Sequence, residues 1–336
     1  MKKIVLLITL VSAILISHAK AAPQYTLTDL GTLGGTYSFA TCINNKGQVA
    51  GDSTASDNLN YHAFLYDGTT MKDLGAGNDA IGINNNGLVV GGTYSGVAFL
   101  YNGTSIQSLG TLGGRFSIAN SINDKGQIVG VSLPRRNSTY HAFLYEGSTM
   151  KDLGLGDNSH AISINNNGQI VGAISGHAFL YANGNKTDIG SLGGSSSALG
   201  INNNGQITGY SYNLKDEERA FLYDGTTMKD LGTLGHASRG WGINDSSQVV
   251  GNSYTLENSE HAFLYDGTKM IDLNSLVSVS GGWVLERATC INNLGQIAGQ
   301  MTDGNVTHAF LMTPVPEPCT IALLALGGLL LRRGKN

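Results

Sequence analysis

Apolar and polar residues alternate along this chain in short runs that end at Gly, Asn or Asp, and the same runs return in the same order about every 42 residues. Each return carries two phrases. One has the form INNxGQxxG; the other is HAFLYDG followed by TMKDLG, with its phenylalanine at Phe64, Phe99, Phe143, Phe179, Phe221, Phe263 and Phe310. We number the repeats 1 to 7 by these phenylalanines. In repeat 1 the pattern predicts strands over 38–44, 48–54, 62–66 and 69–75. Glycine punctuation at such short intervals excludes helices. In HAFLY the odd and even side chains point to opposite faces and both sets are largely apolar, as a sheet covered on both faces requires.

Turn chemistry joins these strands. Asn44, Asn45, Lys46 and Gly47 fit a type I turn closed by a glycine at positive φ, and only Asp245, Ser246 and Ser247 lack that glycine. Asp67 and Gly68 read as the two central residues of a type I′ hairpin, which would set Tyr66 against Thr69 and His62 directly opposite Asp73. Calcium at the Asn-rich turns is disfavoured, because the acidic spacing of an EF-hand loop is missing.

Repeated four-stranded units of this length predict an all-β fold, a seven-bladed β-propeller of four-stranded antiparallel blades over residues 22–313. The chain starts with a lone fourth-type strand over 25–31 and finishes with a lone third-type strand over 308–312. Pairing of these N- and C-terminal strands would close the ring and leave no open end to cap. A β-solenoid is the rival fold; linkers between second and third strands that vary from about 5 to 11 residues count against it.

Eleven positions after each His of the phrase stands an Asp: His62 and Asp73, His141 and Asp152, His177 and Asp188, His261 and Asp272. Where the His is Arg219 the Asp persists as Asp230, and where it is Val97 the Asp becomes Ser108. The two positions change together. Closure would give His308 its partner in Asp29. Such pairs are distributed around the ring, whereas catalysis gathers a nucleophile and its partners at one place and a metal wants three or four converging ligands. They are therefore read as structural cross-strand contacts, with no catalytic, metal or cofactor site among them.

Cys42 and Cys290 hold the same place in the first strands of repeats 1 and 7. An oxidising compartment would permit a disulfide across the seam, while the distance between equivalent positions in adjacent blades favours two free thiols. Variable loops after the second strand, including Arg135 with Arg136 and the run from Lys215 to Glu218, mark the face where a ligand would sit. Glu257, Glu260 and Glu286 fall outside the repeat consensus without visible convergence, and His160 and His236 read as isolated loop residues. The formal charge is −4; without the three lysines of the leader and the net +2 of the tail it is about −9, a poor match for nucleic acid or an anionic membrane.

Both ends read as transport signals. Lys2 and Lys3 precede the apolar run from Ile4 to Ile16, and Ala19 and Ala21 supply small residues before a cut, so 1–21 is expected to be a signal peptide. The segment 314–336 contains Pro316, Glu317 and Pro318, a short apolar stretch from Ile321 to Leu331 read as a transmembrane helix, then Arg332, Arg333 and Lys335. This end resembles the PEP-CTERM sorting tail, with Cys319 departing from the usual Ser or Ala. The resemblance implies handling by an exosortase in the inner membrane of a Gram-negative bacterium, transient anchoring there, and release to the cell surface or matrix. A plain C-terminal anchor is the alternative. The phrases HAFLYDG, INNxGQxxG and DLGTLGG resemble the HAF-repeat family of extracellular repeat proteins, which carries no catalytic residues to transfer. The expectation is a non-enzymatic scaffold for exopolysaccharide or an envelope protein; a glycan-active lyase or hydrolase is the alternative, and a structural spacer the third.

Overall fold

The computed structural model describes residues 25–136, 138–279 and 281–315. The signal segment 1–21 and the sorting residues Pro316, Glu317, Pro318 and Cys319 lie outside the described residues. Thr26–Thr313 form one compact unit; of a second, Met1–Tyr25 with Pro314–Asn336, only Tyr25, Pro314 and Val315 are described.

The described residues are almost entirely strands and turns, with one 3-10 turn at Leu273–Ser275. Repeats 2 to 6 each form a four-stranded antiparallel sheet in simple meander order. In repeat 3 the strands are Gly113–Ile122, Ile128–Pro134, His141–Glu146 and Thr149–Asp152. Repeats 1 and 7 share an eight-stranded sheet, and in it Tyr25–Gly31 pairs with Thr307–Pro314. The two halves meet through one parallel pairing, Tyr37 with Thr307. Tyr37 belongs to the first strand of repeat 1, Gly34–Ile43, which starts ahead of the expected residue 38.

The two phrases of the repeat interlock inside each sheet. The last glycine of INNxGQxxG lies directly across from the phenylalanine of HAFLY, as in Gly51 with Phe64, Gly172 with Phe179 and Gly251 with Phe263. Those rings are among the largest fully buried side chains. A Cβ on Gly172 would stand 1.8 Å from the His160 carbonyl oxygen, and one on Gly251 would meet the Phe263 ring at 2.7 Å. The glycine is required for room. Burial of each phenylalanine contributes about 2–3 kcal/mol before chain entropy is counted.

Neighbouring sheets cover each other's faces. Ala50, Ala63 and Leu74 of repeat 1 pack against Ala80, Val89 and Phe99 of repeat 2. In the same way Val49, Phe64 and Tyr66 of repeat 1 pack against Ala298, Ala309 and Leu311 of repeat 7. No single sheet could bury both faces alone, so the stacking supplies the core.

The hairpin register differs from the expected one. Tyr66 pairs with Met71, and Phe64, not His62, lies opposite Asp73. The two loop residues are Gly68 and Thr69, because Asp67 N–H donates to Thr70 O at 3.2 Å. Only the glycine has positive φ, the pattern of a type II′ turn. The physical reason is the Asp67 carboxylate, which accepts from the Thr69 and Thr70 N–H groups, both at 2.9 Å, and so caps the loop from outside it. Gly147–Ser148 and Asn183–Gly184, with positive φ at both positions, form the type I′ version.

Candidate functional site

Each His and Asp of the eleven-residue pair come together diagonally across the hairpin. Nδ1 and Oδ2 are 2.9 Å apart in His62–Asp73 and 2.7 Å apart in both His141–Asp152 and His261–Asp272. His177 and Asp188 are looser at 3.5 Å and well exposed. Arg219 Nε lies 3.8 Å from Asp230. His308 Nδ1 stands 2.9 Å from Asp29, whose strand is at the other end of the chain. The second carboxylate oxygen of each Asp accepts a backbone N–H two residues on, from Gly154 for Asp152 and Gly232 for Asp230. One side chain thus holds both the histidine and the following turn. Burial lowers the His141 pKa, but hydrogen bonds to Asp152 and to Asp157 outweigh it and leave the group raised. Among the described residues no group of three or more His, Cys, Asp or Glu could hold a metal ion.

The Asn-rich turns do more than turn. Asn44, Asn84, Asn123, Asn165, Asn202 and Asn244 each donate their amide to the carbonyl of the equivalent residue in the next repeat, and Asn292 donates to Asn44, all within 2.9–3.1 Å. All are nearly fully buried. The residue after each Asn repeats the theme, its N–H donating to the side chain of its counterpart, from Asn45 to Asn85 through Asn293 to Asn45. Meanwhile Oδ1 of the first Asn caps its own turn, accepting from Lys46 and Gln48 N–H in repeat 1. The signal in the sequence was two consecutive turn residues kept in every repeat where a turn needs only one.

The first strands of all seven repeats line one largely apolar cavity of about 590 Å³. Cys42 and Cys290 both reach it and both are free thiols, so the alternative of a disulfide is not realised. Each sulfur turns to its own sheet, 3.9 Å from Ala50 O and from Ala298 O respectively. Burial pushes the Cys42 thiol up to about 12 and raises Cys290 as well, leaving neither poised as a nucleophile. Asp52 sits within the strand Val49–Ala55, as the predicted strand over 48–54 has it. Desolvation pushes its carboxyl up to about 8, against one hydrogen bond from Ala80 N–H at 2.9 Å, with nearby Asp79 adding to the rise.

The non-repeated chemistry gathers at repeats 5 to 7, where a cleft of about 560 Å³ opens on the face of the variable loops. Glu218, at the start of a third strand, is bonded by Arg239 through Nε and, at 2.8 Å, through Nη2. Tyr212 donates its hydroxyl to the same carboxylate at 3.2 Å. Glu260 accepts from Arg287 Nη2 at 2.9 Å. The nonconsensus Glu260 therefore has a partner, and Glu286 likewise accepts from Gln300 at 3.0 Å. His236, in the strand Gly235–Ile243 and not in a loop, lines the cleft, with its carbonyl accepting from Arg219 at 2.7 Å. His160 lies in the strand Ser159–Ile164, not in a loop; it is half-buried beside Tyr140, and desolvation lowers its pKa.

The likeness of this chain to known proteins is one of architecture. A family described as "Protein of unknown function (DUF3466)" matches residues 33–150, less than half of the chain. No curated protein matches. Among solved structures, YCF48 from Cyanidioschyzon merolae is 11% identical, with a TM-score of 0.56 over 88% of this chain and 100% of that one. Pyrococcus horikoshii acylaminoacyl peptidase is 12% identical, with a TM-score of 0.52 over 87% of this chain and 54% of that one. Structure similarity to TolB from Acinetobacter baumannii is weaker, with a TM-score of 0.47 at 9% identity over 79% of this chain and 63% of that one. The chain spans less than two thirds of the peptidase and TolB chains. At these identities the likeness shows the fold alone, a propeller-like all-β architecture.

Proposed function

We propose that this chain is an exported, non-catalytic binding scaffold, built as a closed seven-bladed β-propeller, that holds an extracellular polysaccharide. Closure is supported by the asparagine bond from repeat 7 to repeat 1, by the His308–Asp29 pair and by the shared core of the two repeats. The single observation that carries the binding role is the cleft at repeats 5 to 7. Its charged groups Glu218, Arg239, Glu260 and Arg287 are tied to one another, and aromatic side chains stand beside them. A hydrolase or lyase needs a carboxylate or histidine released for proton transfer. Here Glu218 and Glu260 are held by Arg239 and Arg287, so a glycan-active enzyme is not favoured. The leader and the PEP-CTERM-like tail support export, transient inner-membrane anchoring, exosortase processing and residence at the cell surface or matrix.

The test is to isolate the protein from its producing cell and assay it against glycan arrays and glycan-cleavage panels, with an envelope pull-down in parallel. Glycan retention without turnover is expected. Turnover of any retained glycan would overturn the scaffold reading, and capture of an envelope protein without glycan retention would replace the polysaccharide.

A further inference from the structure

Two successive repeat junctions carry the same polar buckle, and the buckles define a recognition surface. Glu218 and Glu260 both precede the histidine position of their repeats, and Arg239 and Arg287 occupy equivalent places in the next first strands, opposite Asn252 and Gln300. Each guanidinium also lies over an aromatic ring, Arg239 at 4.7 Å from the Tyr210 centroid and Arg287 at 5.6 Å from that of Trp241. Trp241 is fixed in turn, its Nε1 donating to Asn252 Oδ1 at 2.6 Å. At the equivalent positions of repeats 3 and 4, Tyr140 meets His160 with ring centroids 5.7 Å apart.

The charge balance of the buckles decides the ligand chemistry. A charged ligand would have to displace a partner already in place, leaving Glu218, 12% exposed, without its cation. An uncharged ligand need displace nothing. Nη1 of Arg239 and of Arg287 has no hydrogen-bond partner among the described residues, and the carboxylates retain lone pairs. Rigid donors and acceptors presented twice at equivalent positions, each pair with a ring face beside it, match a chain molecule with alternating hydroxyl edges and C–H faces.

We infer that this cleft binds an uncharged, hydroxyl-rich glycan chain, with one sugar against Trp241 and the next against Tyr212, and their hydroxyls shared by the two Arg–Glu buckles. This deepens the scaffold reading and rests on it.

The probes are short neutral oligosaccharides of glucose, galactose and mannose, and an oligouronate, titrated against the full chain and its variants with thermal melts as the folding control. A neutral oligosaccharide is expected to bind with affinity that changes less than about twofold between about 0.05 and 0.5 M salt. Trp241→Ala is expected to weaken it about tenfold or more, with Trp241→Phe largely restoring it. Tyr212→Ala carries the same test should the Trp241→Ala protein fail to fold. Binding of the oligouronate alone, with a steep salt dependence, overturns the ligand class. Neutral-glycan binding that survives both alanine variants overturns the cleft while leaving the scaffold reading standing. Failure to bind any glycan overturns both.

Discussion

Asn292 donates its side-chain amide to the backbone carbonyl of Asn44 at 2.9 Å, across 248 positions of sequence. The same amide bonds Gln296, and its oxygen accepts two N–H groups of its own turn. Asn165 makes the identical set within the middle of the chain. Replacing Asn165 by Ala is expected to lower stability by about 2–4 kcal/mol, since buried backbone groups lose their partners. If the propeller is closed, Asn292→Ala lowers it by a similar amount. Urea midpoints of the two variants measure this, and a much smaller effect at Asn292 would count against closure.

His141 makes stability depend on pH. Its pKa is raised in the folded protein, so its contribution is complete below the ordinary histidine value of about 6.5 and fades as pH rises through the folded value. The melting temperature of the native protein should therefore exceed that of His141→Gln by more at pH 5.5 than at pH 8.5. Equal gaps at both values would refute the pairing as a source of stability.

Asp52 also makes stability fall as pH rises, through a burial penalty on its charged form rather than through a pairing. Its carboxyl is raised by burial, so the folded state binds a proton that the unfolded state has lost, and stability declines as pH climbs from about 4 toward 8. Asp52→Asn keeps the acceptor for the Ala80 N–H and removes the titration. At pH 8 the variant is expected to be more stable by about 1–3 kcal/mol. The gain should shrink in melts at pH 5.

The glycine opposite each buried phenylalanine has no room for a methyl group. Gly172→Ala is expected to destabilise by about 2–4 kcal/mol, because the new Cβ must push against the His160 carbonyl. By contrast Gly154→Ala meets no atom within 4 Å and suffers only from its positive φ, 69°. A denaturation series should rank Gly172 well above Gly154; the reverse order would show that backbone freedom, rather than space, selects the first glycine.

Much of the strand pattern was legible because HAFLY and INNxGQxxG repeat with both faces apolar, and the His-to-Asp step was legible because substitutions at the two positions go together. The turn was misplaced by one residue because Asp-Gly satisfies two hairpins, one with Asp inside the loop and one with Asp capping it. Both place Gly at positive φ. The asparagine bonds were hidden for a different reason: the acceptor is a backbone carbonyl some 40 residues away, and a carbonyl leaves no mark in sequence. Glu260 and Arg287 could not be matched either, since their meeting depends on how one sheet stacks on the next and not on the period within a sheet.

The asparagine bonds have a bearing on how such a chain can lengthen. Every repeat brings both halves of the connection, an amide to give and a carbonyl to receive, on the same residue. A duplicated repeat inserted between two others arrives with its own fastening, and none of its neighbours must change to accommodate it. A copied module therefore brings its own joint, while novelty accumulates outside the asparagine bonds, as in the Arg, Glu and Trp side chains of repeats 5 to 7.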